Sequence, residues 1–318
     1  MRAAVLTTPG DIPRCVEHPD PTPTEGRIIV RVTAAPIAPI DLLIASGQTY
    51  LGVPACAYVP GLQGIGVMPD GRRVFFATSA GMAPGDGSMA ELCLVDPTRT
   101  IDIPDSPDID DAVAAPLGNS GVAAAGALRR GGLAQGQTVI VLGASGVVGK
   151  IGVQLAAAAG ARVIAVARGE QALSRARELG AHDTVDASSG DVDSIAADLI
   201  AAAEGGAHLV LDPIAGVPAA AALRAMAPGG RLVNLGESAG PLIAVPSALL
   251  RSRSLEVLGF TTLSLTWEQQ REVLTELLGL VATGQLTVDV ERVPLADAHL
   301  AWARMAESGR RARLVLVP

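Results

Sequence analysis

Thr138-Val139-Ile140-Val141-Leu142 is an unbroken apolar, β-branched run of strand length. It leads directly into Gly143-Ala144-Ser145-Gly146-Val147-Val148-Gly149. Lys150–Ala159 follows with good helix formers and stops at Gly160. A second apolar run, Arg162–Ala167, completes a strand–turn–helix–strand unit. The alternation then continues. Glu170–Leu179, Asp193–Ala203 and Pro218–Met226 have helical patterns, and His208–Leu211, Gly230–Leu235 and Leu255–Phe260 have strand patterns. Strands alternating with helices predict an α/β fold, a doubly wound parallel sheet with helices on both faces.

The flanks are patterned differently. Residues 1–110 read as strands and loops, with strands at Arg27–Thr33, Val74–Thr78 and Met89–Val95. Pro9, Pro13, Pro19, Pro21, Pro23, Pro54 and Pro60 are expected to break any helix there. Asp110–Leu117 and Gly121–Arg130 look helical and end at Gly131-Gly132. Thr266–Thr283 is a long amphipathic helix; Val288–Val293, helix Leu295–Ser308 and strand Arg313–Val317 follow. That tail is no further βαβ repeat, so it is expected to return to the N-terminal part. The domains expected are 1–115 plus 256–318, with 116–255 inserted as a nucleotide-binding domain.

The glycine-rich turn has a physical use. Glycines let a backbone turn tightly and approach a ligand without a Cβ in the way. The following helix points unpaired N–H groups and its positive end at the same place, which suits a pyrophosphate. A strand before and a helix and strand after are the context that such a motif needs. Gly143, Ala144, Ser145, Gly146, Val147, Val148 and Gly149 are therefore the candidate dinucleotide cradle. The end of the second strand selects between dinucleotides: an acid there binds a ribose 2′-hydroxyl, whereas a cation suits a 2′-phosphate. Val166-Ala167-Arg168-Gly169 has no acid and one guanidinium, which favours NADP(H) unless Arg168 is only a solvated charge.

Composition narrows the class. With 318 residues, 49% of them hydrophobic, the chain suits two domains with substantial cores. A net charge of −8 argues against nucleic acid or an anionic membrane as the main partner. The apolar part of the N-terminus is too short for a signal peptide, and the uncharged stretch Ala112–Leu128 is interrupted by Pro116 and Gly118, so a soluble cytoplasmic protein is expected. Cys15, Cys56 and Cys93 are too few and scattered for a disulfide framework, and with His18, His182, His208 and His299 they show no metal-ligand spacing.

Other chemistry is excluded by inventory. Tyr-x-x-x-Lys cannot occur, since the tyrosines are Tyr50 and Tyr58 and the lysine is Lys150. Gly-x-Ser-x-Gly is absent, because Gly143-Ala144-Ser145-Gly146 closes one place early. Hydride transfer from a nicotinamide to a polarised acceptor remains, the cofactor supplying the hydride and the protein its orientation.

The order of these parts is similar to a known family. Leu179-Gly180-Ala181 after the second helix and Pro228-Gly229-Gly230-Arg231-Leu232-Val233 before a strand recur with the glycine turn. The chain resembles the medium-chain dehydrogenase/reductase superfamily in its zinc-free quinone oxidoreductase and enoyl reductase branch, over nearly its full length. The resemblance implies a GroES-like β-rich catalytic domain built from both chain ends, a central Rossmann domain, NADPH in the cleft between them, and a homodimer through the Rossmann sheet edge near Leu255–Gly259. Pro39-Ile40-Asp41 through Gly47-Gln48-Thr49-Tyr50 looks like the family's segment beside the nicotinamide. That makes Tyr50 and Asp41 the catalytic candidates, Tyr50 as a hydroxyl donor or cleft-wall ring, Asp41 as the residue that holds the loop. Leu235 and Gly236 resemble the strand-end loop lining the cofactor. Asn119 either caps the next helix or reaches the nicotinamide. Gly61-Leu62-Gln63 stands where zinc relatives carry Gly-His-Glu, and Ala38 replaces a usual Asn. The function implied is an NADPH-dependent reductase of quinones or α,β-unsaturated carbonyls; a ketone or aldehyde reductase of the same fold, or a non-catalytic NADPH-binding protein, are the alternatives.

Overall fold

The computed structural model describes residues 1–48, 52–106, 108–307 and 312–318. They form two compact units, Met1–Asn119 with Leu274–Pro318, and Ser120–Val273.

The first stretch of chain supplies β1 (Arg2–Val5), β2 (Arg14–Glu17), β3 (Ile28–Pro36), α1 (Pro39–Ser46), β4 (Gln63–Val67), β5 (Arg73–Ala77), β6 (Leu92–Val95), β7 (Thr100–Asp102) and α2 (Asp111–Ala114). Helix α1 corrects the expectation that prolines exclude helices here. Pro39 occupies the first helical turn, where its missing N–H has no intrahelical partner to lose. Asp41 reaches back to the Ala38 N–H at 2.7 Å, and Gly47 closes the helix in the left-handed region, its N–H on the Ile44 carbonyl at 3.0 Å.

The central stretch supplies α3 (Ser120–Arg130), β8 (Thr138–Val141), α4 (Val147–Ala158), β9 (Arg162–Ala167), α5 (Glu170–Glu178), β10 (Asp183–Asp186), α6 (Val192–Ala202), β11 (Ala207–Asp212), α7 (Gly216–Arg224), β12 (Met226–Asn234), α8 (Ser247–Arg253) and β13 (Glu256–Gly259). Its sheet runs β10-β9-β8-β11-β12-β13, all neighbours parallel. Side chains along each strand alternate between two cores. Ile140, Leu142, Ile164 and Val166 meet Ile195 and Leu199 of α6 and Leu223 of α7. Val139, Val141, Val163 and Ala165 meet Leu128 of α3, Val153 of α4 and Leu173 of α5. Helices thus cover both faces. Strand order reverses between β8 and β11, and ligands of such sheets bind beyond the carboxyl ends of the strands at that reversal.

The chain ends with α9 (Trp267–Ala282), β14 (Val290–Pro294), α10 (Ala298–Ala306) and β15 (Arg313–Val317). Strand β15 joins the sheet of the first unit, pairing antiparallel with β3 through Val315–Pro36 and Leu316–Ala35, in the order β14-β15-β3-β4-β5-β7. The two chain ends therefore share one sheet and one core, where Phe76, Met89 and Leu6 pack with Trp302, Leu314 and Leu316.

Candidate functional site

The carboxyl end of β8 turns into α4 through the predicted glycine-rich segment. The helix starts at Val147, three residues earlier than the pattern suggested, so Val147, Val148 and Gly149 form its first turn. Sterics fix two of the glycines. Gly143 has φ 59°, and a Cβ there would lie 2.7 Å from Ile214 Cγ2. A Cβ on Gly149 would overlap the Gly143 carbonyl oxygen and stand 2.7 Å from its carbon. The turn is tied down by Ala144 N–H on the Val166 carbonyl and Gly146 N–H on the Gly143 carbonyl, each at 2.9 Å. Gly146 precedes the helix without a side-chain cap, and the amides of the first turn have no intrahelical carbonyl to meet. The result is an uncapped helix start beside bare backbone, which fits an anionic diphosphate. Lys150 is 5% exposed and continues the helix from within, its N–H on the Gly146 carbonyl at 2.9 Å.

At the next strand tip, Ala167 is buried and Arg168 is exposed. Arg168 forms no ion pair or hydrogen bond among the described residues. The nearest acid along the sheet is Asp186, register partner of Ala167 on β10. Its Oδ1 accepts from the Ser188 hydroxyl at 2.5 Å, the Ser188 N–H at 2.9 Å and the Gly169 N–H at 3.3 Å. Those donors, Ser188 first, hold its carboxyl below the ordinary carboxylate range. Sequence reasoning missed Asp186, since β10 carries little apolar signal.

Beyond the reversal, Leu235 and Gly236 follow β12. Leu235 N–H donates to the Asp212 carbonyl at 2.9 Å, and Gly236 presses its backbone on Pro213. The structure therefore gathers Gly143 to Gly149, Arg168, Leu235 and Gly236 at one edge of one sheet. Asn119, half-buried, stands immediately before α3 as the last residue of the other unit's first segment.

Asp41 belongs to that other unit. It is buried, its Oδ2 takes the Ala38 N–H at 2.7 Å and its Oδ1 the Leu62 N–H at 3.1 Å. Burial pushes its carboxyl up to about 6, against the pull of those amides and of Arg313. Arg313, also buried, donates to the Ile37 carbonyl at 2.9 Å, and desolvation brings it down to about 10. Tyr58 lines a narrow recess with Asp41, Ile44, Pro60, Gly61 and Ala80, and burial raises its phenol. Tyr50 lies outside the described residues.

The quinone oxidoreductase of Thermus thermophilus, solved alone and with NADPH, is similar to this chain at 30% identity over 100% of both chains, with a TM-score of 0.83. The chain belongs to the medium-chain dehydrogenase/reductase superfamily, in its quinone oxidoreductase branch. The mycobacterial protein Rv1454c, solved complexed with NADPH, is similar at 26% identity over 100% of both chains, with a TM-score of 0.86. Quinone oxidoreductase-like protein 2 of Bos taurus is 28% identical over 266 residues, 82% of this chain and 74% of that one. The zinc-binding dehydrogenase family model matches residues 147–280, which begins on the first turn of α4. This medium-chain dehydrogenase/reductase is thus an oxidoreductase, and no helix among its described residues is long and apolar enough to cross a membrane.

Proposed function

We propose that the protein is an NADPH-dependent oxidoreductase that transfers hydride to a quinone or an α,β-unsaturated carbonyl without a catalytic metal. One observation carries the cofactor choice: Arg168 stands unpaired at the tip of β9, where Ala167 offers no carboxylate. A guanidinium in that place suits a 2′-phosphate and gives a ribose 2′-hydroxyl no acceptor. The NADPH named with two similar structures supports the same choice.

The amides of Ser145 to Gly149 would hold the diphosphate, and Arg168 the 2′-phosphate. Leu235 and Gly236 would line the rest of the cofactor. When bound, the cofactor supplies the hydride, and negative charge develops on the acceptor oxygen, which needs a donor. The Tyr50 hydroxyl is the proposed donor, and Asp41 the residue that holds the segment leading to it. Zinc does not fit this chain: Leu62 has no ligand atom in its side chain, and Gln63 carries a neutral amide where a carboxylate would be needed. Among the described residues no group of three or more His, Cys, Asp or Glu is placed so that it could hold a metal ion. The same reading makes 1–115 plus 256–318 the catalytic GroES-like domain, pairs two copies along the open edge of β13, and puts the protein in the cytoplasm.

Oxidation of NADPH, followed by its near-ultraviolet absorbance with a panel of quinones, enals and enoyl thioesters, tests this. Turnover with one class and a preference over NADH is expected. Silence across the panel rejects the reductase reading, and alcohol as the only product moves it to carbonyl reduction.

A further inference from the structure

Strands β11 and β12 are paired so that Asp212 stands opposite Asn234, at the carboxyl ends of both. Asp212 is 0% exposed. Its Oδ1 accepts the N–H groups of Ile214 and Ala215 at 3.1 and 2.8 Å, and its Oδ2 accepts Asn234 Nδ2 at 2.8 Å. The same Asn234 amide donates to the Gly236 carbonyl at 2.8 Å. One carboxylate thus gathers the loop after β11, one amide gathers the loop after β12, and the two grip each other. Hydrogen bonds to an ionised acceptor are the stronger kind. Burial pushes the Asp212 carboxyl up, and Asn234, then Ala215 and Ile214, pull it back.

The loops are held in a shape that would not persist unaided. Ala215 has φ 56° and ψ −148°, a conformation that L residues rarely adopt. It pairs with Gly240 across the two loops, and Ala239 N–H bonds the Ile214 carbonyl at 2.8 Å. Ile214, the residue between the clamp and the strained alanine, packs over Gly143 in the glycine-rich turn. The pair therefore sets where one wall stands relative to the diphosphate cradle.

We propose that Asp212 and Asn234 are positioning residues for the nicotinamide half of the cofactor, acting by locking together the loops that follow β11 and β12. The inference rests on the dinucleotide reading above. In a fold of two mononucleotide-binding halves, β8 to β10 serve one half and β11 to β13 the other. Damage to the clamp should then reach the nicotinamide end and spare the adenosine end.

Two probes separate these ends: NADPH, and adenosine 2′,5′-bisphosphate, which lacks the nicotinamide nucleotide. Asp212→Asn turns an amide against the Asn234 amide, donor facing donor. Asn234→Ala leaves Asp212 its two backbone donors. By calorimetry, Asp212→Asn should weaken NADPH roughly tenfold and Asn234→Ala less, with the bisphosphate within about twofold of wild type. Should Asp212→Asn not fold, Asn234→Ala carries the comparison. Unchanged NADPH affinity in the folded variants, or equal loss of both probes, overturns the clamp alone. Wild-type protein that binds neither probe overturns the dinucleotide reading itself, and the clamp with it.

Discussion

Asp41 should cost the protein stability as the pH rises. Burial lifts its carboxyl from an ordinary 3.8 to about 6. Between those values the folded chain keeps a proton that the unfolded chain has released, so unfolding becomes easier with increasing pH. A difference of about two pH units corresponds to about 3 kcal/mol. This contribution is complete below the unfolded value of 3.8 and gone above the folded value of about 6. Arg313, brought down only to about 10, keeps its charge throughout that window. Asp41→Asn removes the titration while preserving size, and subtracting its stability from that of wild type cancels every other group. Urea denaturation can be followed by the fluorescence of Trp302, which is buried in the core of the same unit, in a Trp267→Phe background. From about pH 4, where the unfolded group is already half ionised, to about pH 7.5 the wild type should lose about 2.4 kcal/mol relative to the variant. A difference constant to within about 0.5 kcal/mol over that range would refute the burial argument.

Arg168→Ala should raise the Michaelis constant for NADPH by tenfold or so while changing that for NADH little, and equal changes would remove Arg168 from the 2′-phosphate role. Gly149→Ala forces a methyl into the Gly143 carbonyl, so thermal melting should drop and NADPH titration should fail; normal binding would mean the turn has slack. Tyr50→Phe should lower turnover and leave the NADPH dissociation constant unchanged, and an unaltered rate would leave Tyr50 a packing role.

The alternation of apolar runs and helical stretches was enough to read the parallel sheet and its helices, because β8 and β9 at its centre are buried on both faces and so read as nearly continuous apolar runs. Strand β10, Asp183–Asp186, escaped because only Val185 is buried. Helix α8 escaped because none of its residues is buried. Helix α1 was masked by its own proline, which breaks helices in the interior but not at the start. At the site, the glycine turn was legible because its residue type follows from backbone sterics. The Asp212–Asn234 clamp was not, since the two residues are 22 positions apart and only the sheet register sets them side by side. Asp186 likewise becomes relevant to the β9 tip only through pairing with Ala167.

Lys150, sunk into the first turns of α4, is the sole lysine in 318 residues. Every other fixed side-chain cation is a guanidinium. Reagents that acylate or cross-link ε-amines will find almost nothing on the folded surface, and a burst of lysine labelling would report that this helix has come away from its sheet.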